Sequence, residues 1–278
     1  MPGDTLSKME AFQWKTTRPL VMGILNVTPD SFSDGGRYLA VANAVTRARQ
    51  MASEGADIID IGGESTRPGA PVVSADEELR RVLPVIEQIS DLLVSVDTTK
   101  AVVAKRALAA GARIVNDISA LRHDADMVQV VRDFEAGVVL MHMQGMPATM
   151  QENPRYVDVV REVREFLAER IEFAVASGVK KTQIAVDPGL GFGKTVEHNR
   201  QLVAGLKQFA LLGCPIVVGA SRKSFIGQLL SRTAPERLPG SLAVAAWAVT
   251  QGAQIVRAHD VAATVDVVRM LMALRQVD

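Results

Sequence analysis

The chain has 278 residues, of which 48% are apolar, and one α/β barrel can use a sequence of this length. Lysine plus arginine and aspartate plus glutamate number 31 each, so no net charge attracts the chain to nucleic acid or an anionic membrane. Any anion binding must therefore be local. The single cysteine, Cys214, excludes an internal disulfide.

Residues 1–18 lack the apolar core of a secretory signal. No segment reaches the roughly 20 uninterrupted apolar residues that a membrane-spanning helix needs. We therefore expect a cytoplasmic protein that has neither nucleic acid nor a membrane as a partner.

Eight short apolar runs recur along the chain and predict β-strands. They cover residues 20–25, 58–61, 92–96, 113–115, 138–141, 184–186, 216–218 and 255–256. A stretch long enough for a helix follows each run. Strands that alternate with helices form a parallel sheet with right-handed crossovers, and eight such units close a barrel. We predict an α/β fold, a (β/α)8 TIM barrel formed as a single domain by residues 19–278, after an N-terminal extension of residues 1–18.

The main alternative is an open, doubly wound sheet, which concentrates its ligand groups near one switch point. A polar stretch follows every run instead, and this favours the barrel. The stretches are residues 26–36, 62–69, 97–100, 116–117, 142–145, 187–194, 221–224 and 257–260. Because the active sites of such barrels lie at the carboxyl ends of the strands, we expect these stretches to form one site.

Two of the connecting stretches carry clear helix signals. Apolar residues spaced three or four apart predict one helical face, and they are Val160, Val163, Leu167, Ile171 and Ala174. Gly178 supplies a C-terminal stop for that helix. Ser74 and Glu77 fit a capping box at the start of another helix. Pro84 lies inside that second helix, so we expect a kink there or a later start.

The first two polar stretches, residues 26–36 and 62–69, are rich in Gly, Pro, Ser and Thr. This composition suits mobile loops that close over a substrate, although ordinary surface turns have it too. Thr66 and Arg67 offer a hydroxyl and a guanidinium to phosphate oxygens. The side-chain oxygen of Asn26 could bind a magnesium ion that keeps most of its waters.

Arg257 and His259 are two residues apart at the end of the last strand, so both can point toward the barrel mouth. Together with Arg67 they would form an anion clamp in a chain without net charge. The alternatives are a salt bridge from Arg257 to a carboxylate at the rim and a structural hydrogen bond of His259.

Asp97, Asn116, Asp187 and Lys223 follow four different strands and could converge on one deep pocket. Two carboxylates, an amide and an ammonium suit a flat heterocycle with both donors and acceptors on its edge. A carboxylate can pair with an amidine-like edge, while Lys223 donates to a ring oxygen or nitrogen. The alternative is a salt-bridge network in the barrel core.

Other kinds of site are not supported. His142, His198 and His259 lack the spacing of a zinc site. The glycine-rich stretch 189–194 lacks the spacing of a phosphate-binding P-loop, and no serine lies in a nucleophile-elbow pattern.

Taken together, five stretches resemble those of bacterial dihydropteroate synthase, the folate-pathway enzyme that sulfonamides inhibit. They read NVTPDSFSDGG at 26–36, GGESTRPG at 62–69, DPGLGFGK at 187–194, SRKS at 221–224 and RAHD at 257–260. Several long motifs in the same order make the resemblance specific, and it extends over about residues 19–275.

The resemblance implies a (β/α)8 barrel, usually a homodimer, that uses Mg²⁺. Its reaction joins 6-hydroxymethyl-7,8-dihydropterin diphosphate to p-aminobenzoate and releases 7,8-dihydropteroate and pyrophosphate. The positions that match the pterin pocket are Asp97, Asn116, Asp187, Lys223 and Arg257. Those that match the diphosphate site are Asn26, Thr66, Arg67, Arg257 and His259, with Asn26 as the metal ligand. Those that match the p-aminobenzoate site are Phe32, Thr66, Pro68, Phe192, Ser221 and Lys223.

We assign the catalytic roles to Asp97, Lys223 and Arg257. Two rivals remain at this stage. A related pterin-binding methyltransferase would keep the pterin pocket but would not need the diphosphate clamp of Thr66, Arg67 and His259. A catalytically idle relative that only binds a pterin would keep the motifs without the activity.

Overall fold

The computed structural model describes residues 10–27, 36–65, 72–146 and 149–275. For residues 36–39 it describes the backbone only. The predicted site residues Phe32, Thr66, Arg67 and Pro68 lie outside these ranges. Eight strands are found in the described chain. They are β1 (Leu20–Asn26), β2 (Ile58–Gly62), β3 (Val94–Asp97), β4 (Ile114–Asp117), β5 (Gly137–Met141), β6 (Ile184–Asp187), β7 (Val217–Val218) and β8 (Ile255–Ala258). Each overlaps one of the apolar runs from which a strand was predicted.

The strands form one parallel sheet in the order β6-β5-β4-β3-β2-β1-β8-β7. The sheet closes between its two ends. Val186 of β6 forms a parallel bridge with Ile216, and its backbone N–H donates to the Pro215 carbonyl at 2.8 Å. The predicted (β/α)8 barrel is confirmed, and the open sheet is wrong.

Helices surround the barrel. In the described residues they are α1 (Gly36–Ser53), α2 (Ala75–Gln88), α3 (Ala101–Ala109), α4 (Met127–Asp133), α5 (Val159–Ala176), α6 (Val196–Ala204), α7 (Ser224–Leu230), α8 (Leu238–Thr250) and α9 (Val261–Arg275). The predicted apolar face of α5 is buried along its whole length, and Gly178 follows the helix with a positive φ of 96°. None of the helices described in the structure is long and apolar enough to cross a membrane.

Helix α2 corrects one expectation. It begins at Ala75 and continues through Pro84, so the later start is wrong. The side chain of Ser74 caps it by accepting a hydrogen bond from the Glu77 backbone at 3.3 Å. Three acidic residues in the first turn further stabilise this end, because their negative charges interact favourably with the positive end of the helix dipole. The N-terminal signals therefore outweigh the proline in setting where the helix begins.

The pleat of the strands divides the barrel interior into layers, because side chains two residues apart point the same way. The lower layer is apolar and contains Met22, Ile58, Ile114, Val139, Ala185, Val217 and Ile255. Two residues further along their strands, the same inward direction brings in polar groups, which are Asp60, Asn116, Asp187 and Arg257. The fold therefore places a polar layer on an apolar floor, at the carboxyl-end mouth of the barrel.

Residues 10–18 lie across the opposite end of the barrel. The backbone N–H of Phe12 donates to the backbone carbonyl of Glu135 at 2.9 Å, and that of Trp14 donates to the backbone carbonyl of Thr182 at 3.0 Å. Both aromatic rings pack against the apolar floor. This segment covers the bottom of the barrel, far from the mouth, and the domain boundary after residue 18 stays a prediction.

Candidate active site

Arg257 is the centre of the polar layer. Its Nε donates to Asp60 Oδ2 at 2.6 Å, and its Nη2 donates to Asp97 Oδ2 at 2.7 Å. Burial alone would lower the pKa of Arg257, but the charges of Asp60 and Asp97 outweigh burial and raise it. The guanidinium is therefore held as a cation between two carboxylates from β2 and β3.

Asp60 is the site residue that the sequence analysis missed. It is 0% exposed, and the same Oδ2 that binds Arg257 also accepts from the amide of Asn116 at 3.1 Å. One carboxylate oxygen thus connects β2, β4 and β8. The signal was present in the sequence, since an aspartate interrupts the apolar run 58–61 at an inward-facing position.

Asp97 and Asn26 lie on either side of Gly62, on neighbouring strands in register. A β-carbon at Gly62 would lie 3.8 Å from both Asn26 Oδ1 and Asp97 Oδ2. Burial raises the pKa of Asp97 to about 7, against the opposing charge of Arg257. The Arg257 guanidinium therefore stabilises the ionised form of Asp97 against the effect of burial.

Asp187 and Lys223 lie on the other side of Arg257. Burial raises the pKa of Asp187, while the charge of Lys223 opposes this shift. Burial lowers the pKa of Lys223 to about 8, although the charge of Asp187 favours the ammonium. The Lys223 ammonium donates to the Leu190 carbonyl and lies 4.7 Å from the centre of the Phe192 ring.

The loop after β6, residues 189–194, needs its glycines. Gly189 has a φ of +67° and Gly193 a φ of +63°, and a β-carbon at either residue would overlap a neighbouring backbone carbonyl. Those carbonyls belong to His142 and Gln144, which follow β5. The Gly189 backbone N–H donates to Asp187 Oδ1 at 2.7 Å. The glycines let this loop lie directly on the preceding one, beside the buried carboxylate.

Ser221 and His259 join the loops that follow β7 and β8. The Ser221 hydroxyl lies 3.0 Å from His259 Nδ1 and accepts from the His259 backbone N–H at 3.1 Å. In the same two loops, Arg222 forms a two-point ion pair with Asp260 at 2.8 and 2.7 Å. The last two strand ends are therefore cross-linked at the mouth.

Comparison with known proteins decides which family uses such a site. A family model described as pterin binding enzyme matches residues 22–259. The dihydropteroate synthase of Escherichia coli strain K12 is 49% identical over 260 residues, which is 92% of either chain.

The chain belongs to the dihydropteroate synthase family. Two structures of the Xanthomonas albilineans dihydropteroate synthase agree with this. The complex with 4-aminobenzoic acid has a TM-score of 0.89 at 48% identity, and the complex with 7,8-dihydropteroate has a TM-score of 0.86 at 46% identity. Each match covers 94% of this chain and 95% of the other.

The resemblance seen in the sequence is thereby confirmed, and so is the function that it implied. The chain is a transferase of folate biosynthesis that condenses 6-hydroxymethyl-7,8-dihydropterin diphosphate with p-aminobenzoate. A methyltransferase or an idle pterin-binding relative finds no support in these matches.

Most of the site residues predicted for a dihydropteroate synthase are brought together by the barrel. Arg257 contacts Asp97, and the charges of Asp187 and Lys223 act on each other and on Arg257. An ion network in the barrel core, the alternative considered for these residues, is therefore also present. Their individual roles toward substrate stay predictions, as do those of the four residues outside the described ranges.

Magnesium has a single predicted ligand, Asn26, and the described residues contain no group of three His, Cys, Asp or Glu side chains that could hold a metal. A lone neutral amide oxygen fits Mg²⁺ only where substrate phosphates and water complete the octahedron. Asn26 lies at the mouth, where a diphosphate would supply such oxygens, so the donor set is compatible with this ion.

Proposed function

We propose that the polar layer of the barrel mouth is the site of the condensation. The observation that carries this proposal is the Asp60–Arg257–Asp97 network, in which one buried and one partly buried carboxylate hold one guanidinium beside Asn116 and Asp187. A polar layer this deep in a barrel costs free energy unless a ligand or an ion network satisfies it. A flat heterocycle with several ring nitrogens offers donors and acceptors that match those of the polar layer.

The pterin ring binds between Asp187, Asn116 and Lys223. The Asp187 carboxylate accepts from the ring edge that carries the amino group, and the Lys223 ammonium donates to a ring oxygen or nitrogen. Asp60 binds the amide nitrogen of Asn116, so the Asn116 oxygen is left to face other donors. The guanidinium of Arg257 lies against the ring.

The diphosphate lies further out, toward Asn26 and His259. Arg257, Thr66, Arg67 and His259 are the groups that we assign to it. When bound, Mg²⁺ at Asn26 supplies positive charge to the leaving oxygens. Because Nε and Nη2 of Arg257 already bind carboxylates, we expect most of the phosphate contacts to come from the other residues.

The p-aminobenzoate site adjoins Phe192, Lys223 and Ser221, with Ser221 near the benzoate carboxylate. Phe32, Thr66 and Pro68 complete it in our proposal. Phe192 packs against the apolar cluster of Ile118, Met141, Met143 and Met150, so its ring offers an apolar surface to the second ring. Sulfonamides would compete for the same place.

The reaction is a displacement at the pterin methylene. The carbon–oxygen bond to the diphosphate breaks, and its electron pair leaves with pyrophosphate. The pterin ring spreads the positive charge left behind, and the Asp97 carboxylate stabilises that charge. The aniline nitrogen then forms the new carbon–nitrogen bond and loses a proton to solvent. No covalent intermediate with a side chain is needed.

The enzyme should bind its substrates in order, since the loops at 26–36 and 62–69 complete the second site once the diphosphate is bound. The chain is also proposed to be a cytoplasmic homodimer. Exposed apolar side chains on α7, α8 and α9 support the dimer, and they are Leu229, Leu230, Trp247, Met270 and Leu274.

One assay tests the proposal. The purified chain receives the pterin diphosphate, p-aminobenzoate and Mg²⁺, and dihydropteroate and pyrophosphate are quantified. We expect both products in equal amounts, with turnover abolished in Asp187→Ala and retained in the exposed-site control Asp133→Ala. Failure of the wild-type chain to form either product would overturn the proposal. Full activity of Asp187→Ala would show that the polar layer is not the site of the reaction.

A further inference from the structure

The loop after β6 is held by its backbone carbonyls. Four consecutive ones, from Leu190 to Gly193, each accept a hydrogen bond from a side chain. The donors are, in order, Lys223, Gln151 at 2.5 Å, Lys194 at 2.9 Å and Tyr156 at 2.9 Å. Two of these donors, Gln151 and Tyr156, come from the segment that follows β5. A glycine-rich loop, which would otherwise be mobile, is therefore attached at every residue between Leu190 and Gly193.

Lys194 is the deepest of the four donors. It is 3% exposed, and its Nζ lies 3.0 Å from His142 Nδ1 and 2.9 Å from the Phe192 carbonyl. Burial lowers the pKa of Lys194 well below its usual value, which favours the neutral amine. Burial lowers the pKa of His142 to about 2, so this ring is neutral and its Nδ1 can accept. Lys194 thus links the end of β5 to the loop after β6 through neutral acceptors.

Tyr156 attaches the far side of the loop. Its hydroxyl donates to the Gly193 carbonyl, and its ring lies edge-on to His198 with the ring centres 4.9 Å apart. Burial raises the pKa of Tyr156, which keeps the hydroxyl protonated and able to donate. The Tyr156 ring also lies near His142, with the ring centres 6.0 Å apart, so the hydroxyl that holds the loop is beside the lysine link.

The consequence falls on Phe192, which lies between these attachment points. It packs against the apolar cluster of Ile118, Met141, Met143 and Met150, and the Lys223 ammonium lies 4.7 Å from the centre of its ring. The carbonyl of the same residue is held by Lys194. Backbone and ring are both fixed, so Phe192 and Lys223 form one preformed wall.

We propose that Lys194 and Tyr156 are positioning residues of the arylamine subsite, acting through the backbone of residues 192 and 193 to hold Phe192 in place. This inference rests on the proposed function, because it takes Phe192 as a wall of the p-aminobenzoate site. Neither residue touches the reacting atoms. We therefore expect them to affect the binding of p-aminobenzoate and not the binding of the pterin diphosphate.

The smallest test is Tyr156→Phe, which removes one hydroxyl and retains the ring. We expect the KM for p-aminobenzoate to rise about threefold to tenfold, the ratio that one net hydrogen bond supports. The KM for the pterin diphosphate stays within about twofold, since Asp187 and Asn116 are untouched. Lys194→Met should raise the KM for p-aminobenzoate further, and Lys194→Gln, which can still donate, should recover part of the loss.

A second readout does not depend on turnover. Calorimetric titration of the Tyr156→Phe chain with 7,8-dihydropteroate should show weaker binding by the same factor, while the free pterin binds as to wild type. Lys207→Met, a change at an exposed lysine, is the matched control and should alter neither constant.

Three outcomes separate the possibilities. Unchanged binding of p-aminobenzoate and of dihydropteroate in a folded Tyr156→Phe chain would overturn the inference, whether or not Lys194→Met folds. A parallel rise of both KM values would show a general structural role and would overturn it too. Absence of turnover in the wild type would instead contradict the proposed function, with the titration still able to judge the positioning role.

Discussion

The Nε of Arg257 donates to Oδ2 of Asp60 at 2.6 Å, inside the barrel, where the Asp60 carboxylate is fully buried. The same guanidinium binds Asp97. The two carboxylates can lie so close together only because the arginine lies between them. Removing one partner of a buried ion pair costs far more folding free energy than the pair itself contributes. The arginine is therefore needed for the stability of the site as well as for its chemistry.

Arg257→Met should abolish most turnover and destabilise the fold by about 3 kcal/mol or more at pH 8, because one buried and one partly buried carboxylate lose their cation. The charge of Arg257 opposes the rise in the pKa of Asp97, so its loss raises that pKa above about 7. A carboxyl whose folded-state pKa is raised loses stability as pH increases. The loss of unfolding free energy in Arg257→Met, measured by urea unfolding, should thus grow between pH 6 and pH 8. Arg106→Met, at an exposed position, is the control, and a deficit that does not change with pH would contradict this account.

The pH dependence of the reaction should have a falling limb set by Lys223. Burial lowers the pKa of this lysine from 10.5 to about 8, so the ammonium that binds the pterin is lost as pH rises through about 8. We expect kcat/KM for the pterin diphosphate to fall there, since this ratio reports the free enzyme. In Lys223→Arg the cation persists, and the limb should move to higher pH even if the rate is lower. A limb that stays near pH 8 in that variant would assign it to another group.

Sequence reasoning recovered the fold because its signals are local and repeated. Apolar runs and helix-length spacers recur eight times, and the pattern of polar strand ends separated a barrel from an open sheet. The convergence of Asp97, Asn116 and Asp187 at the barrel mouth could be predicted for the same reason, since each stands at or next to the end of a strand.

What was missed depends on distances across the barrel. Asp60 stands inside β2, and only the pairing of β1 with both β2 and β8 brings it to Arg257, which is near the other end of the chain. The attachment of Lys194 to His142 is also invisible in the sequence, because 52 residues separate the two. Pro84 was given too much weight, since capping at Ser74 decides where α2 begins.

Gly189→Ala tests the packing of one loop on another. A β-carbon at this residue would overlap the His142 carbonyl, and the positive φ of 67° strains any other residue. The loop must therefore move away from Asp187, whose Oδ1 binds the Gly189 backbone. We expect turnover to fall at least about tenfold and stability by about 1–3 kcal/mol. Gly252→Ala is the control, with a similar φ of 97° but open space around it, and equal effects of the two changes would point to backbone strain alone.

The dimer prediction concerns the outer face of α7, α8 and α9. Met270 and Leu274 are each 62% exposed one turn apart on α9, and Trp247 of the adjoining α8 is 48% exposed. Exposed apolar side chains on neighbouring helices favour an interface between copies of one chain. Light scattering after size exclusion should give twice the mass of 29.9 kDa for the wild type. Met270→Lys with Leu274→Lys should shift the mass to that of the monomer, because two buried cations per copy would lack partners. Lysines introduced instead at two other exposed positions, Val102 of α3 and Phe134 directly after α4, should leave the dimer intact. A wild-type monomer at micromolar concentration would contradict the assignment.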